Sequence, residues 1–383
     1  MTIELEAKLV PSEGFQMPAL QDALPGVVTE VQPVRELDAI YYDTPDLELA
    51  RWGITLRHRT GESGRPWTLK LPEHEASVLM ARDELCFDGD IDAVPDEATD
   101  LVRAFTRGRA LTGLARLHTS RAPVQIRDTD GRALVEIVDD SVAVLEGALD
   151  PGQFREVEVE ATVDTPRSRA VLQSAVSALV SAGCRAEKPL PKLVRALGRR
   201  AQEPPSVVVA PVGPQSSTAD LIRHLTAASV RQILLHDAGV RLGADPEAVH
   251  QYRVATRRLR SDLRTFSGFL DEARTDELRG ELSWLGSVVG PVRDLDVLGA
   301  RFAAQVRGLP DLDQAAASGL LTQVAASRLD ARQGLLEALR SERYDRVLRT
   351  LVAFASAPPV VPGTDRTAVR SATSVASRLV KHR

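Results

Sequence analysis

The stretch Ile3-Glu4-Leu5-Glu6-Ala7-Lys8-Leu9 alternates apolar and charged residues without interruption. Because successive side chains of a strand point to opposite faces, this pattern predicts a strand with Glu4, Glu6 and Lys8 on one face. Carboxylates beside an ammonium group suit a divalent cation that carries a phosphate. The stretch therefore predicts a strand whose charged face binds metal and phosphate.

The same alternation recurs on five later stretches, with a different balance of charge on each. Arg57 and Arg59 share one strand face, whereas the three glutamates of residues 156–160 share another. Parity also gives charged faces to Lys70, to Arg82 with Glu84, and to Glu136 with Asp140.

A solvated outer face would give this alternation on any single strand, and that interpretation stays open for each strand taken alone. Over six strands, however, acids and bases are segregated by strand. A closed barrel with a charged interior would need a polyvalent ligand to offset its self-repulsion. A triphosphate with a divalent metal supplies both signs of charge, since carboxylates bind Mg²⁺ or Mn²⁺ and arginine forks match phosphate oxygens.

Composition allows two domains of ordinary size, since the 383 residues are 43% hydrophobic and 26% charged. Residues 1–217 carry 24 Lys and Arg against 34 Asp and Glu, while residues 218–383 carry 24 against 19. The acidic and basic halves indicate two functions, although ordinary surface charge would also produce the difference. Cys86 and Cys184 lack metal-ligand spacing, and no membrane-length apolar run or signal peptide is visible, so we expect a cytoplasmic protein.

Turn signals and alternation predict strands through the first 200 residues, interrupted by helices at residues 96–107 and 167–182. The strands are predicted at residues 3–10, 39–43, 54–59, 67–71, 78–87, 124–128, 133–139, 141–145 and 154–161. Many short antiparallel strands indicate a barrel or a sandwich. Residues 201–217 contain four prolines and no regular period, which is typical of a linker, and a helical pattern begins at Thr218. The predicted fold is α+β, with domains at 1–200 and 218–383.

Several of these stretches, taken in order, resemble the CYTH domain of the triphosphate tunnel metalloenzyme superfamily. The resemblance covers about residues 1–200 and begins with the ExExK match Glu4-Leu5-Glu6-Ala7-Lys8. It continues with Tyr42-Asp43-Thr44-Pro45, Leu56-Arg57-His58-Arg59, Thr68-Leu69-Lys70, Thr119-Ser120-Arg121, Glu136 with Asp140, residues 156–160, and Lys188 with Lys192. A lone ExExK is a weak match, whereas the ordered set is specific.

The resemblance implies an eight-stranded antiparallel tunnel that binds triphosphate compounds with one or two divalent cations, Mg²⁺ or Mn²⁺. Carried over by position, it implies that the metal ligands are Glu4, Glu6, Asp140, Glu158 and Glu160. It implies that the phosphates are held by Lys8, Arg57, Arg59, Lys70, Arg82, Arg121 and Lys192. Asp140 is preferred to Asp139 because parity places it with Glu136, and Glu156 is left out because it lies near the start of its strand.

Metal-assisted hydrolysis of a phosphoanhydride, with water as the nucleophile, is the expected chemistry. The expected catalytic residues are Glu4, Glu6, Lys8 and Glu136, the last of which would orient the attacking water. His58 and His118 are expected to be structural or to face outward. The same family also includes adenylate cyclases and thiamine triphosphatases, and a non-catalytic polyphosphate-binding scaffold is a further alternative.

A second set of basic residues follows at helical spacing in the C-terminal half. Spaced by 3, 4, 3 and 4 positions, they are His250, Arg253, Arg257, Arg260 and Arg264. Asp245 and Pro246 would begin this helix, and an apolar stripe would pack it against a core. The stripe comprises Val249, Tyr252, Thr256, Leu259, Leu263 and Phe266. A solvated face is the alternative, but it would normally include glutamates.

This helix resembles the signature of the CHAD domain, and residues 284–297 resemble the second recognisable stretch of that domain. The resemblance implies a helical bundle that binds inorganic polyphosphate through the five basic residues. Nucleic acid is disfavoured because aromatic stacking positions are not evident. The family's second basic helix is not recognisable before Arg383, so we expect the domain to lack its C-terminal part. Together the two domains predict a triphosphatase that acts on inorganic triphosphate and associates with polyphosphate or its granules, and not with membranes.

Overall fold

The computed structural model describes residues 2–72, 80–147, 152–186 and 190–361. The side chains of a few residues within these ranges, Glu4 and Arg82 among them, lie outside the description. The chain divides into two compact units. The first holds Met1–Thr99 with Ala110–Glu203, and the second holds Asp100–Arg109 with the chain from Pro204 onward.

The first unit contains one antiparallel sheet, in which ten strands are described. They are β1 (Thr2–Pro11), β2 (Val27–Val31), β3 (Arg35–Asp43), β4 (Thr55–Thr60), β5 (Trp67–Leu71), β6 (Met80–Phe87), β7 (Thr112–Asp128), β8 (Ala133–Glu146), β9 (Gln153–Ala161) and β10 (Cys184–Ala186). Eight of these strands close into a ring, in the order β1-β6-β5-β4-β3-β7-β8-β9, because β1 also pairs with β9. The predicted α+β fold with an antiparallel barrel is therefore confirmed.

The sheet contains two more strands than the predicted eight because two ring strands extend past their neighbours. β3 pairs with the first part of β7, and β2 pairs with the remainder, from Val124 to Asp128. The end of β1 pairs in the same way with β10. Each short strand thereby satisfies backbone groups that the ring leaves open.

The outer face of the ring is apolar where it meets a helix, and this places the charged face inside. Leu5, Val157 and Val159 belong to one buried cluster with Leu172 and Leu179 of the helix Pro166–Ser181. Since neighbours along a strand point to opposite faces, the charged residues between them face the interior of the ring. Burial of apolar area is thus what determines which face is turned inward.

Eleven α-helices are described in the two units. They are α1 (Leu20–Ala23), α2 (Glu48–Arg51), α3 (Asp96–Leu101), α4 (Arg103–Thr106), α5 (Pro166–Ser181), α6 (Lys192–Leu197), α7 (Thr218–Leu242), α8 (Pro246–Thr265), α9 (Glu272–Val306), α10 (Asp311–Arg340) and α11 (Glu342–Ser356). The predicted helix at 96–107 is divided into α3 and α4. None of the helices in the described ranges is both long and apolar enough to cross a bilayer.

The second unit is helical, as predicted, and α8 begins at the predicted cap. Ser217 forms a capping box with Asp220 before α7, and the Asp245 side chain accepts a hydrogen bond from the Glu247 backbone before α8. α8 packs between α7 and α9, and α11 also contacts α7. The predicted apolar stripe of α8 is buried throughout.

A buried polar network joins α7, α8 and α11. The Tyr344 hydroxyl donates to Asp237 at 2.5 Å and lies 3.0 Å from the Tyr252 hydroxyl. Arg241 donates to the other Asp237 oxygen at 2.6 Å. Burial and the Asp237 carboxylate raise the pKa of Tyr344, so its hydroxyl stays a donor.

The segment Asp100–Arg109 belongs to the helical unit, although residues 1–200 are predicted as one domain. Arg103 explains this placement, because its guanidinium donates two hydrogen bonds, of 2.8 and 2.7 Å, to the buried Asp345 of α11. The predicted boundaries of the linker, 201 and 217, stay predictions.

The buried apolar stripe of α8 should contribute much of the stability of the helical unit. Leu259 has no exposed surface, whereas Val254 on the same helix is 37% exposed. We expect Leu259→Ala to lower the free energy of unfolding by about 2–5 kcal/mol, because it leaves a cavity in the core. The matched control Val254→Ala should cost less than about 1 kcal/mol. Chemical denaturation followed by circular dichroism measures the free energy of unfolding of both variants. Equal losses would contradict a stabilising role of the apolar stripe.

Candidate functional site

The ring encloses a cavity of about 270 Å³, to which each of its eight strands contributes a side chain. Charged residues dominate the lining, and the two signs are equally represented. The acids are Glu6, Glu62, Glu84, Glu136, Glu158 and Glu160. The bases are Lys8, Arg57, Arg59, Lys70, Arg121 and Lys192. Most of the residues predicted for the tunnel therefore meet in one cavity.

One wall of the cavity carries a row of carboxylates. In the strand register, Glu6 of β1 lies opposite Glu160 of β9, and Glu160 lies opposite Glu136 of β8. Like charges placed directly opposite one another across a sheet repel. Hard oxygen donors in this arrangement fit Mg²⁺ or Mn²⁺, because a divalent cation would offset the repulsion.

A second acidic group lies one step further along the same strands. Asp140, Glu156 and Glu158 offer oxygens within 4.8 Å of one another, which is close enough to hold a metal ion. The Lys192 ammonium, however, lies 2.9 Å from Asp140, 2.7 Å from Glu156 and 2.9 Å from Glu158. In this structure all three carboxylates of the acidic triad therefore pair with one lysine at the start of α6.

The cations beside this triad are held in their charged forms. Burial disfavours the Lys8 ammonium, but Glu158 and Glu6 outweigh burial and raise its pKa. Burial likewise opposes ionisation of Glu158, but Lys192, Lys8 and Arg121 hold its pKa well below the usual range. Arg121 donates two hydrogen bonds to Asp140, at 2.9 and 2.7 Å. The result is a tightly paired set of ionised groups.

The opposite wall, formed by β4 and β5, is basic. Lys70 lies 3.4 Å from Glu84. Arg57 is different, since its Nε is buried without a hydrogen-bond partner and none of the described carboxylates lies within ion-pair distance of it, although it hydrogen-bonds Tyr41 and is attracted by Glu84. Burial would raise the pKa of the neighbouring Tyr41, but Arg57 and Lys192 lower it below its ordinary value. Arg57 thus leaves a cationic group available to an anion in the cavity.

Some of the predicted residues lie outside the description, and the two histidines have contacts outside the cavity. The side chains of Glu4 and Arg82 are not described, although the two residues are opposite in the β1–β6 register. Lys188 and the basic residues after position 361 lie outside the described residues. His58 is buried against the Trp67 ring, and His118 lies beside Glu36 and Asp38.

Sequence reasoning missed several residues of the cavity. Glu84 shares the parity of Arg82 in the charged face already recognised, so the alternation itself is a sufficient signal for it. Tyr41 also follows from parity, because it lies opposite Arg57 in the β3–β4 register. Glu62 gave no such signal, because it lies on the turn between β4 and β5, beyond the alternating pattern.

The basic face of α8 lines a groove of about 890 Å³ together with α9. Arg257, Arg260 and Arg264 of the predicted set lie in this groove. Arg258 and, from α9, Arg279 also line it and were not predicted. The described structure places the other two predicted residues, His250 and Arg253, outside its lining.

Arg253 instead approaches the second stretch of the helical domain. Its guanidinium lies 3.7 Å from Asp294, and a β-carbon at Gly290 would lie 2.6 Å from its Nη1 atom. Glycine at position 290 therefore gives the arginine room to reach across α9.

Removing the Lys192 ammonium should destabilise the tunnel in a pH-dependent way. The lowered pKa of Glu158 means that its contribution to stability is present above about 4.3, the ordinary glutamate pKa, and is lost as the pH falls. In Lys192→Met three buried carboxylates face one another, so we expect a loss of about 3–5 kcal/mol near pH 7. Near pH 4 the loss should shrink, because the carboxylates of the variant take up protons.

Thermal unfolding across this pH range provides the measurement for Lys192→Met. Arg195→Met is the matched control, since Arg195 contacts only Glu156 of the triad, at 3.0 Å. Arg195→Met should lower the free energy of unfolding less than Lys192→Met does. A pH-independent deficit in Lys192→Met would contradict the ion network.

Two family models match the chain, the CYTH domain over residues 2–174 and the CHAD domain over residues 224–383. Two Mycobacterium tuberculosis proteins, from strains CDC 1551 / Oshkosh and ATCC 25618 / H37Rv, are each 35% identical over 369 residues. The match covers 92% of this chain and 70% of each relative, and both relatives are described only as uncharacterized.

Solved structures resemble parts of the chain. The CHAD domain from Ricinus communis is 26% identical, with a TM-score of 0.37, over 46% of this chain and 56% of that one. A Hippeastrum protein described as a putative adenylyl cyclase with a dominant triphosphatase activity is 16% identical, with a TM-score of 0.27. The match covers 50% of this chain and 94% of that one. These scores are low, so membership is based on the family models and the mycobacterial relatives. The chain belongs to the family of proteins in which a CYTH domain is followed by a CHAD domain.

Proposed function

We propose that the tunnel hydrolyses inorganic triphosphate with Mg²⁺ or Mn²⁺ and that the helical domain binds inorganic polyphosphate. The observation that carries the proposal is the composition of a single cavity, in which a row of carboxylates faces a basic wall. A divalent cation bound to the carboxylates and phosphates bound to the basic wall would offset the charge of both walls. The buried Arg57, which lacks a carboxylate partner among the described residues, supports an anionic ligand most directly.

The donor set supports a resident divalent cation held by Glu6 and Glu160, with Glu158 as a further ligand that pairs here with Lys8, Arg121 and Lys192. When bound, such an ion would neutralise phosphate charge and polarise the phosphorus centre. Asp140 is also in our proposed ligand set, although Arg121 and Lys192 pair with it here, and Glu4 completes the set. The acidic triad around Lys192 would accept a cation only if the lysine moved toward a bound phosphate.

In the proposed reaction, water attacks the terminal phosphorus of triphosphate in line with the bridging oxygen. A new P–O bond forms, the phosphoanhydride P–O bond breaks, and orthophosphate and pyrophosphate leave. Arg57, Arg59 and Lys70 hold the phosphate oxygens, and Arg121 and Lys192 add charge at the other end of the cavity. Glu136, which lines the cavity, orients the water and accepts its proton.

The size of the cavity favours a small inorganic substrate over a nucleotide. At about 270 Å³ its volume is just below the range of typical ligand pockets, which begins at roughly 300 Å³. Tyr41 is the one aromatic residue of its described lining, so nothing there is arranged to stack an adenine or a thiamine ring. Adenylate cyclase and thiamine triphosphatase activities are therefore the less favoured alternatives.

The basic groove supports polyphosphate binding by the helical domain. Four exposed or half-exposed arginines of α8 line it with Arg279 of α9, and the ligand would lie along the helix. A repeating polyanion can follow such a row without base-specific contacts. The domain would thereby bring the protein to polyphosphate, including polyphosphate granules in the cytoplasm.

Phosphate release from tripolyphosphate, ATP and thiamine triphosphate, with and without Mg²⁺ or Mn²⁺, tests the tunnel. We expect metal-dependent release from tripolyphosphate. Arg57→Ala should lower kcat/KM by about two orders of magnitude, because it removes a preorganised cation from the site. Arg127→Ala is the control, since Arg127 pairs with Glu30 away from the cavity.

Glu6→Gln separates an enzyme from a phosphate-binding scaffold. It should raise the Mg²⁺ concentration needed for half-maximal activity, while tripolyphosphate affinity without metal persists. Unchanged turnover in Glu6→Gln would refute the metal assignment. Cyclic AMP as the sole product from ATP would refute the hydrolase.

Polyphosphate binding is tested with a triple variant of the groove, Arg257→Ala with Arg260→Ala and Arg264→Ala. We expect its affinity for long-chain polyphosphate to fall at least about tenfold and its salt dependence to weaken, because fewer phosphates are neutralised. The control removes three arginines that are exposed and outside the groove, Arg223, Arg274 and Arg307. Equal effects of the two triple variants would indicate non-specific attraction only.

A further inference from the structure

A chain of alternating charges crosses the rim of the tunnel cavity. The Glu62 carboxylate forms an ion pair with Arg59 and lies 3.6 Å from Nη1 of Arg35. The other terminal nitrogen of Arg35, Nη2, lies 3.9 Å from Glu136. Arg59, Glu62 and Glu136 line the cavity, whereas Arg35 is outside its lining and more exposed, with 36% of its side chain accessible.

The turn that carries Glu62 is fixed by its backbone. Gly61 has a φ of 91°, a conformation that residues with a β-carbon rarely adopt. A β-carbon at this position would also collide with the Glu36 carbonyl oxygen. The chain therefore leaves β4 in a defined direction, and this direction returns the Glu62 side chain over Arg59.

Glu62 places a negative charge just beyond the end of β4, next to the positive charges of that strand. Arg57 and Arg59 face the cavity from alternate positions of this strand, and Arg57 has no carboxylate partner among the described residues. Arg59 has one, Glu62. Burial and the nearby Arg57 lower the pKa of Arg59 to about 10, and Glu62 acts against that shift.

We propose that Glu62 is a specificity-determining residue, which limits the tunnel to short substrates by opposing any phosphate that extends beyond Arg59. A phosphate chain bound to Arg57 and Arg59 would bring its next phosphate against the Glu62 carboxylate. Repulsion between like charges is strong in a partly buried site. The inference rests on the proposed triphosphatase function and adds the feature that selects chain length.

Kinetics with tripolyphosphate and with linear tetrapolyphosphate, which is one phosphate longer, tests this role. In Glu62→Gln we expect the ratio of kcat/KM for tetrapolyphosphate to that for tripolyphosphate to rise about tenfold, equivalent to ~1.4 kcal/mol. Glu62→Asp keeps the charge and should leave the ratio close to that of the wild type. Glu30→Gln, on β2 and paired with Arg127, is the control for a lost surface charge.

An unchanged ratio in Glu62→Gln would overturn the proposal. An equal gain for both substrates would overturn it too, because it would mean that Glu62 merely competes for Arg59. Calorimetric dissociation constants of the two polyphosphates, measured without divalent metal, give the same ratio independently of turnover. If the wild type binds both compounds and hydrolyses neither, the proposed reaction fails, while the binding ratio still tests Glu62.

Discussion

The pairing of β1 with β9 is the contact on which the rest of the first unit depends. It closes eight strands into a ring and so converts a charged strand face into an interior surface. The opposite, apolar face of the same strands packs against α5. Burial of that apolar face stabilises the ring and offsets the free-energy cost of bringing charged side chains together inside it.

The interior is organised so that few of its charges stand alone. At one end Lys192 serves three carboxylates, and Arg121 and Lys8 complete the same network. At the rim, Arg59, Glu62, Arg35 and Glu136 alternate in sign. Arg57 stands between these two groups with an unsatisfied donor. An anionic ligand would satisfy it, and such a ligand would enter a site whose other charges are already positioned.

Much of this site could be predicted because strand parity is a strict rule. Glu6, Lys8, Arg57, Lys70 and Glu158 were all assigned to charged strand faces, and all of them line the cavity. Parity cannot indicate what a turn residue does, and Glu62 was therefore missed. Nor can it show which cation meets which carboxylate. The position of Lys192 among Asp140, Glu156 and Glu158 depends on how α6 closes on the ring.

The prediction of β7 is too short because this strand meets different partners along its length. The alternation predicts a strand only over residues 124–128 of β7, because the first part of β7 has polar residues on both faces, such as His118 and Thr119. Pairing with β3 and β8 on either side keeps that part extended. The helices were easier, because the caps Ser217 and Asp245 and the buried stripe of α8 are local signals.

The salt bridge between Arg103 and Asp345 has a consequence for how this protein can be divided. Arg103 comes from the ten-residue segment Asp100–Arg109, which lies in the sequence between β6 and β7, yet its partner lies on the last described helix. A fragment that starts at Pro204 would retain the aspartate and lose the guanidinium that pairs with it. An excised helical half would therefore keep this ion pair only if Asp100–Arg109 were included with it, as would a helical half exchanged between relatives.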